Sequence, residues 1–224
     1  ECLITYVVAA CALGRHAIGR EVYEQGFCSG PDYINGKTYH GVRLPLGPEL
    51  GGPLFFAHYS FLGLDPRKLR DAHADYWQQS LAQVAINRAH CAANPKGFKD
   101  YGPSCWGLTA SDDPDGYEAH APAHDNGTIS PTAALASLPY APQASLAALR
   151  HFLGQEMPIW GRFGFIDAFN ATRDWRAETF LAIDQAPILV MIENYRSGLL
   201  WKLFMGAPEV KRGLARLGFE GFMA

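Results

Sequence analysis

The stretch from Pro187 to Met205 constrains this chain most. Ile188, Leu189, Val190, Met191, Ile192, Leu199, Leu200, Trp201, Leu203, Phe204 and Met205 leave a helix no polar side. Such a helix is buried all round, so other helices must wrap it. Leu3–Leu13 is similarly apolar. Leu3–Leu13 is too short to span a membrane. Inner apolar helices covered by amphipathic outer ones predict a two-layer, all-α assembly.

The outer helices are signalled by an N-cap residue or turn followed by proline in the first helical position. Asp65-Pro66 opens the longest, to about Asn94. Its apolar stripe is Trp77, Leu81, Val84 and Ala85, and its wet side includes Gln78, Gln79 and Arg88. Ser130-Pro131, Ala141-Pro142 and Ala207-Pro208 open three more, ending near Ser137, Gly154 and Gly218. Between helices run two long stretches, 26–64 and 95–129, rich in Gly, Pro, Asn and Asp. Loops of that length in a compact domain are usually functional. Phe55, Phe56, Tyr59, Trp106 and Tyr117 within them argue against disorder. Asn35-Gly36, flanked by Tyr33-Ile34 and Thr38-Tyr39, predicts a small hairpin with a type I′ turn. The 224 residues fit one domain.

Charge excludes several function classes. With 19 basic against 22 acidic residues and no Lys/Arg run, the chain has no electrostatic footprint for nucleic acid or an anionic membrane. Cys2, Cys11, Cys28, Cys91 and Cys105 form no CxxC pair, so no zinc ribbon or redox motif is expected. Cys2 and Cys11 read as small core residues in an apolar helix, and Cys28, Cys91 and Cys105 lie nearer loops. His120, His124 and Asp125 share a loop, but Pro122 opposes the helix that would make the histidine spacing a metal site. No metal and no cofactor are expected. Leu3–Leu13 lacks the basic flank of a signal peptide, since Glu1 stands there. The chain reads as starting inside a buried helix, with its upstream part missing.

Carboxylates carry what chemistry there is. Glu1, Asp167, Asp184 and Glu193 sit in apolar surroundings, which is unusual for surface acids. Each has a structural alternative: Asp184 as N-cap of the apolar helix, Glu193 paired with Arg196, Asp167 as a loop-ordering acceptor, Glu1 as an effect of the chain start. Together, in loops and at helix starts beside Trp and Phe, they suit glycosidic-bond hydrolysis. One acid protonates the leaving oxygen and one carboxylate activates water or attacks the anomeric carbon.

Long motifs then become recognisable: residues 1–10 (ECLITYVVAA), 106–112 (WGLTASD), 125–142 (DNGTISPTAALASLPYAP), 164–170 (GFIDAFN) and 181–201 (LAIDQAPILVMIENYRSGLLW). The chain resembles the glycoamylase-like family, which includes bacterial endo-β-1,2-glucanases and a domain of cyclic β-1,2-glucan synthases. The resemblance implies an (α/α)6 toroid, of which this chain is the C-terminal part. It implies inverting, endo-acting hydrolysis of β-1,2-glucan, with Glu1 as general acid, Asp184 as base, and Asp167 as the alternative catalytic carboxylate. It places Trp106, Tyr117, Trp160, Phe163, Phe169, Tyr195 and Arg196 in the glucan-binding cleft. Transglycosylation, or a non-catalytic sugar-binding remnant, stands as the alternative reading. The departure is length, since a full toroid has twelve helices and the pattern here supplies roughly six or seven. The partners implied are a glucan oligo- or polysaccharide and the upstream half of the same domain. The implied location is periplasmic or secreted.

Overall fold

The computed structural model describes residues 2–222. In chain order its elements are α1 (Leu3–Cys11), the short α2 (Arg20–Val22) running into a π turn (Tyr23–Phe27), and the hairpin β1 (Thr38–Tyr39)–β2 (Val42–Arg43). After three 3₁₀ turns come α3 (Tyr76–Ala93) and the hairpin β3 (Ala110–Asp113)–β4 (Gly116–Ala119). α4 (Pro131–Leu135) and α5 (Pro142–Leu153) follow, then β5 (Trp160–Gly161) with β6 (Gly164–Phe165), and β7 (Phe169–Asn170) with β8 (Trp175–Arg176). The chain closes with α6 (Ala182–Arg196), α7 (Leu199–Gly206) and α8 (Pro208–Leu217). The architecture is all-α, and each β element is half of an isolated antiparallel hairpin. No helix among the described residues is long and apolar enough to cross a membrane.

The prolines open α4, α5 and α8 where expected, because a first-turn residue needs no N–H partner. Asp65-Pro66 does not open a helix. Asp65 accepts from the Arg67 backbone N–H at 3.0 Å, and Arg70 exchanges backbone hydrogen bonds with Glu220 from the far end of the chain. That tertiary pairing holds residues 66–74 as turns and bends rather than helix. α3 therefore starts only after Asp75, whose side chain caps the Gln78 N–H at 3.0 Å.

The face of α3 also differs from the expected one. Ala85 is exposed, while Gln79, Gln83, Asn87 and His90 are buried. Gln79 holds both the N–H (2.8 Å) and C=O (3.1 Å) of Leu46, Gln83 donates to Gly51 O (2.9 Å), and Asn87 holds both backbone groups of Leu108 (3.1 Å each). A buried amide needs partners, and a Gly-rich loop has backbone groups to give. This polar stripe is what orders the two long loops. The hairpin turn is five residues later than expected: His40-Gly41, with φ of 49° and 79°, forms the two-residue turn. Asn35 instead donates to the carbonyls of Gly47 and Pro48.

Pro187–Met205 is not one buried helix. Gly198, at φ 68°, breaks it into α6 and α7. Met191 and Trp201 enter the core, but Leu189 is 73% exposed, and Ile183, Leu199 and Leu203 also face outward. Val8 of α1 does the same. Among the described residues nothing covers these side chains. Two main cores result. One gathers α3, α4, α5 and α6 around Trp106, Phe152 and Phe169; the other joins α1 and α8 around Tyr23, Tyr76 and Phe219. Gly213 of α8 lets α1 approach closely, with Cys11 and Val7 where a Cβ would lie. All five cysteines are free, and Cys2 is exposed rather than in the core.

Candidate active site

The backbone around Asp167 is tied on every side. Ile129 and Phe169 exchange hydrogen bonds at 2.8 and 2.9 Å, Ala177 donates to Ala168 O at 2.9 Å, and Asp167 N–H reaches Thr179 O at 3.1 Å. Ser130 Oγ donates to Asp167 O at 2.7 Å. The loop before β7 is thus clamped against the start of α4, which carries Ser130-Pro131. Thr132 of the same turn donates to the carbonyl of Asp184. One short helix therefore braces both carboxylates.

Asp184 is not the N-cap of α6. Leu181 holds that position, and its carbonyl accepts from Asp184 N–H (3.1 Å) and Gln185 N–H (2.9 Å). The Asp184 side chain turns inward and is 2% exposed, while Asp167 is 0% exposed. Asp184 Oδ1 accepts from Tyr59 OH at 3.2 Å, and Asp167 Oδ2 accepts from the Asp112 N–H at 2.6 Å. Each carboxyl keeps one buried oxygen, Asp167 Oδ1 and Asp184 Oδ2, with no donor of its own. Two facing carboxylates bond to one another only by sharing a proton. The two side chains are within hydrogen-bonding reach of each other, so the orphaned oxygens partner each other in the singly protonated pair.

Burial, followed by the charges of Asp184 and Asp112, pushes the Asp167 carboxyl up to about 7. Burial also raises Asp184, against the hydrogen bonds from Asp167 and Tyr59 that lower it. Near neutral pH the pair holds one proton. Asp112 is the third acid here, and Thr179 OH donates to it. Tyr117 on β4 stands close enough that, after burial, the charges of Asp184, Asp167 and Asp112 raise its phenol to about 12.

A sequence model of the glycoamylase family matches residues 1–208. The chain belongs to that family. It is 43% identical, over 97% of its length, to the exo-β-1,2-glucooligosaccharide sophorohydrolase (non-reducing end) of Parabacteroides distasonis, of which it spans 33%. Its fold superposes on a glucoamylase candidate from Bacteroides uniformis with a TM-score of 0.97 and 53% identity, covering 100% of this chain and 55% of that one. It matches the Chitinophaga pinensis endo-β-1,2-glucanase, solved with sophorotriose and glucose, at 0.93 and 51%, covering 98% and 54%. The chain thus spans about a third of the curated relative and about half of these solved ones.

The expected cleft residues of this glycoamylase-family chain separate into groups. Asp184, Asp167 and Tyr117 come together. Trp106 and Phe169 do not line a cleft; both are buried in the larger core. Trp106 is drawn inward because its loop crosses the α3–α4 junction, where Gly107, at φ 137°, leaves room for Ser130 O and Ala133. Trp160 and Phe163 are exposed on the β5–β6 hairpin. They rim an apolar groove with Leu146, Leu149, Ile188 and Leu189 that begins at Gln185, beside Asp184. Tyr195 and Arg196 lie eleven and twelve residues along α6 from Asp184, about 16–18 Å away at the helical rise. They stand well away from the two carboxylates, and Arg196 pairs with Glu193 at 3.6 Å. Glu1 lies outside the described residues.

Sequence reasoning missed Asp112, Tyr59, Thr132 and Thr179 as site residues. Asp112 had a signal, since it ends the Trp106–Asp112 motif. Tyr59 had none, because only folding brings the 3₁₀ turn Tyr59–Leu62 against α6.

Proposed function

We propose that this protein is a glycoside hydrolase that cleaves β-1,2-glucan internally, with inversion at the anomeric carbon. The observation that carries the reading is the buried Asp167–Asp184 pair, each with one oxygen lacking a donor, beside the half-exposed Tyr117. A pair in hydrogen-bond contact is too close to flank a glycosidic bond, since retaining enzymes separate their carboxyls by about 5–5.5 Å and inverting ones by about 6.5–9.5 Å. Asp167 and Asp184 therefore act as one unit on one side of the bond. Asp167 keeps the shared proton and Asp184 is the base. Glu1 is the general acid. The start of α1 lies beside the pair, because Ile4 N–H bonds Ser60 Oγ at 3.2 Å, next to Tyr59, which holds Asp184. Asp184 is so enclosed that it takes its proton through an intervening substrate hydroxyl rather than from bulk water.

The linkage is supported by the β-1,2-specific names of the two relatives, and the endo mode by the higher identity to the endo-acting one. The outward apolar faces of α1, α6 and α7 are where the remaining helices of an (α/α)6 toroid pack. The enzyme works in the periplasm or outside the cell, which fractionation of the source bacterium tests. For activity, full-length protein is incubated with linear β-1,2-, β-1,3-, β-1,4- and α-1,4-glucans. Short β-1,2-oligosaccharides of mixed length, first released as the α-anomer, are expected. Activity confined to α-1,4-glucan overturns the linkage. Sophorose alone overturns the endo mode, and products without new reducing ends mean transglycosylation.

A further inference from the structure

Away from the paired carboxylates, four side chains that the proposed reaction does not use converge at one point. Asp100 and Cys105 come from the loop after α3, which is closed by reciprocal hydrogen bonds between Gly102 and Cys105 at 3.2 Å each. His151 lies in the last turn of α5, and Gln155 follows one turn later. A carboxylate oxygen of Asp100, Cys105 Sγ and a ring nitrogen of His151 all lie within 4.8 Å of one another. Asp100 Oδ2 is 3.0 Å from His151 Nε2, the Gln155 amide nitrogen is 2.8 Å from that same nitrogen, and it also touches Asp100 Oδ2.

Hydrogen bonds alone cannot account for this cluster. If His151 Nε2 carries a proton, it donates to Asp100, but the Gln155 NH2 then faces a second donor. Turning the Gln155 amide over cures that contact and sets its oxygen against the Asp100 carboxylate. If Nε2 carries a lone pair, it faces the ionised Asp100 acceptor to acceptor. With Asp100 ionised, no tautomer and no amide orientation satisfies all three contacts. A cation among them does, since carboxylate, imidazole and amide oxygen all turn lone pairs to it. Cys105 supplies the fourth donor. Its thiol is buried at the edge of the larger core, with Sγ turned to the Asp100 and His151 side chains.

We propose that Asp100, Cys105 and His151, with Gln155 Oε1 as fourth ligand, form a site for a zinc-type divalent cation. The donor set selects the metal: thiolate and imidazole favour zinc over calcium or magnesium, which want oxygen alone. Charge closes too, because one carboxylate and one thiolate neutralise a dication. In a tetrahedral zinc site neighbouring donors lie about 3.3–3.6 Å apart, so small rotations of half-exposed side chains complete it. With four protein ligands the site is structural. It staples the loop before Trp106 to the end of α5, and departs from the sequence-based expectation of no metal.

The test uses full-length protein stripped with chelator and titrated with Co2+, followed by Zn2+. One equivalent of Co2+ is expected, with a thiolate-to-cobalt charge-transfer band that Zn2+ abolishes. The band should vanish in Cys105→Ser, and His151→Gln and Asp100→Asn should each weaken Zn2+ binding about tenfold or more. Cys105 is in the core, so if its variant does not fold, the two half-exposed positions carry the test. Absence of the band in the unmodified protein, or equal Zn2+ binding by it and the His151 and Asp100 variants, overturns the proposal.

Discussion

Asp167→Asn separates the shared-proton reading from a purely structural one. Asn mimics the protonated acid: Oδ1 accepts from the Asp112 N–H and the Nδ2 hydrogens reach Asp184 Oδ2. In the native protein the Asp167 carboxyl moves from 3.8 to about 7 on folding. That is about three decades of proton affinity, worth up to about 4 kcal/mol. The folded state binds more protons than the unfolded chain between about pH 4 and pH 7, so stability is lost as pH rises through that window. The variant has no such proton to lose. Urea unfolding of full-length protein and variant at pH 4.5, 6 and 7.5 is the assay. The difference between the two curves cancels the other acids. At pH 7.5 the variant is expected to gain up to about 3 kcal/mol on the native protein relative to their difference at pH 4.5, while keeping turnover, because Asn holds the place of the protonated acid and Asp184 remains the base. A pH-independent difference refutes the raised carboxyl and the shared proton with it.

Other perturbations read neighbouring parts of the argument. Asp184→Asn should leave the fold intact and lower turnover on β-1,2-glucan by about two orders of magnitude, measured as reducing-end release; near-native turnover removes Asp184 as base. Tyr59→Phe deletes a hydrogen bond that lowers the Asp184 carboxyl, so the acidic limb of the kcat–pH profile should move to higher pH. Gly213→Ala drives a Cβ to 2.7 Å from Cys11 Sγ and 2.9 Å from Val7 O, which should cost about 1–3 kcal/mol by denaturant unfolding. Asn194→Ala strands the Leu62 carbonyl and the Trp201 N–H, bonded at 3.0 and 3.1 Å. A loss of about 1–3 kcal/mol is expected, and a change below about 0.5 kcal/mol would show that water replaces the amide.

The sequence by itself determined what depends on short-range rules. Proline at the first helical position fixed the starts of α4, α5 and α8, because proline presets φ and has no N–H to strand there. The apolar character of α1, α6 and α7 gave an all-α protein, and long motifs gave the family. Asp167 and Asp184 stood out because acids amid Phe, Ile and Leu need a reason. Tertiary structure decided everything that required two distant segments to meet. Residues 66–74 left the helical state because Arg70 pairs with Glu220. Gln79 looked like part of a solvated face until loop backbone arrived to satisfy it, as it does for the buried Gln83 and Asn87. Trp106 and Phe169 looked like sugar platforms because an aromatic ring in a loop is the same string of letters whether it stacks on ligand or fills a core. Most of all, the raised proton affinity of Asp167 is no property of its own segment. It arises from burial and from Asp184 and Asp112, which only the fold brings to it, since Coulomb and desolvation energies depend on distance in space and not along the chain.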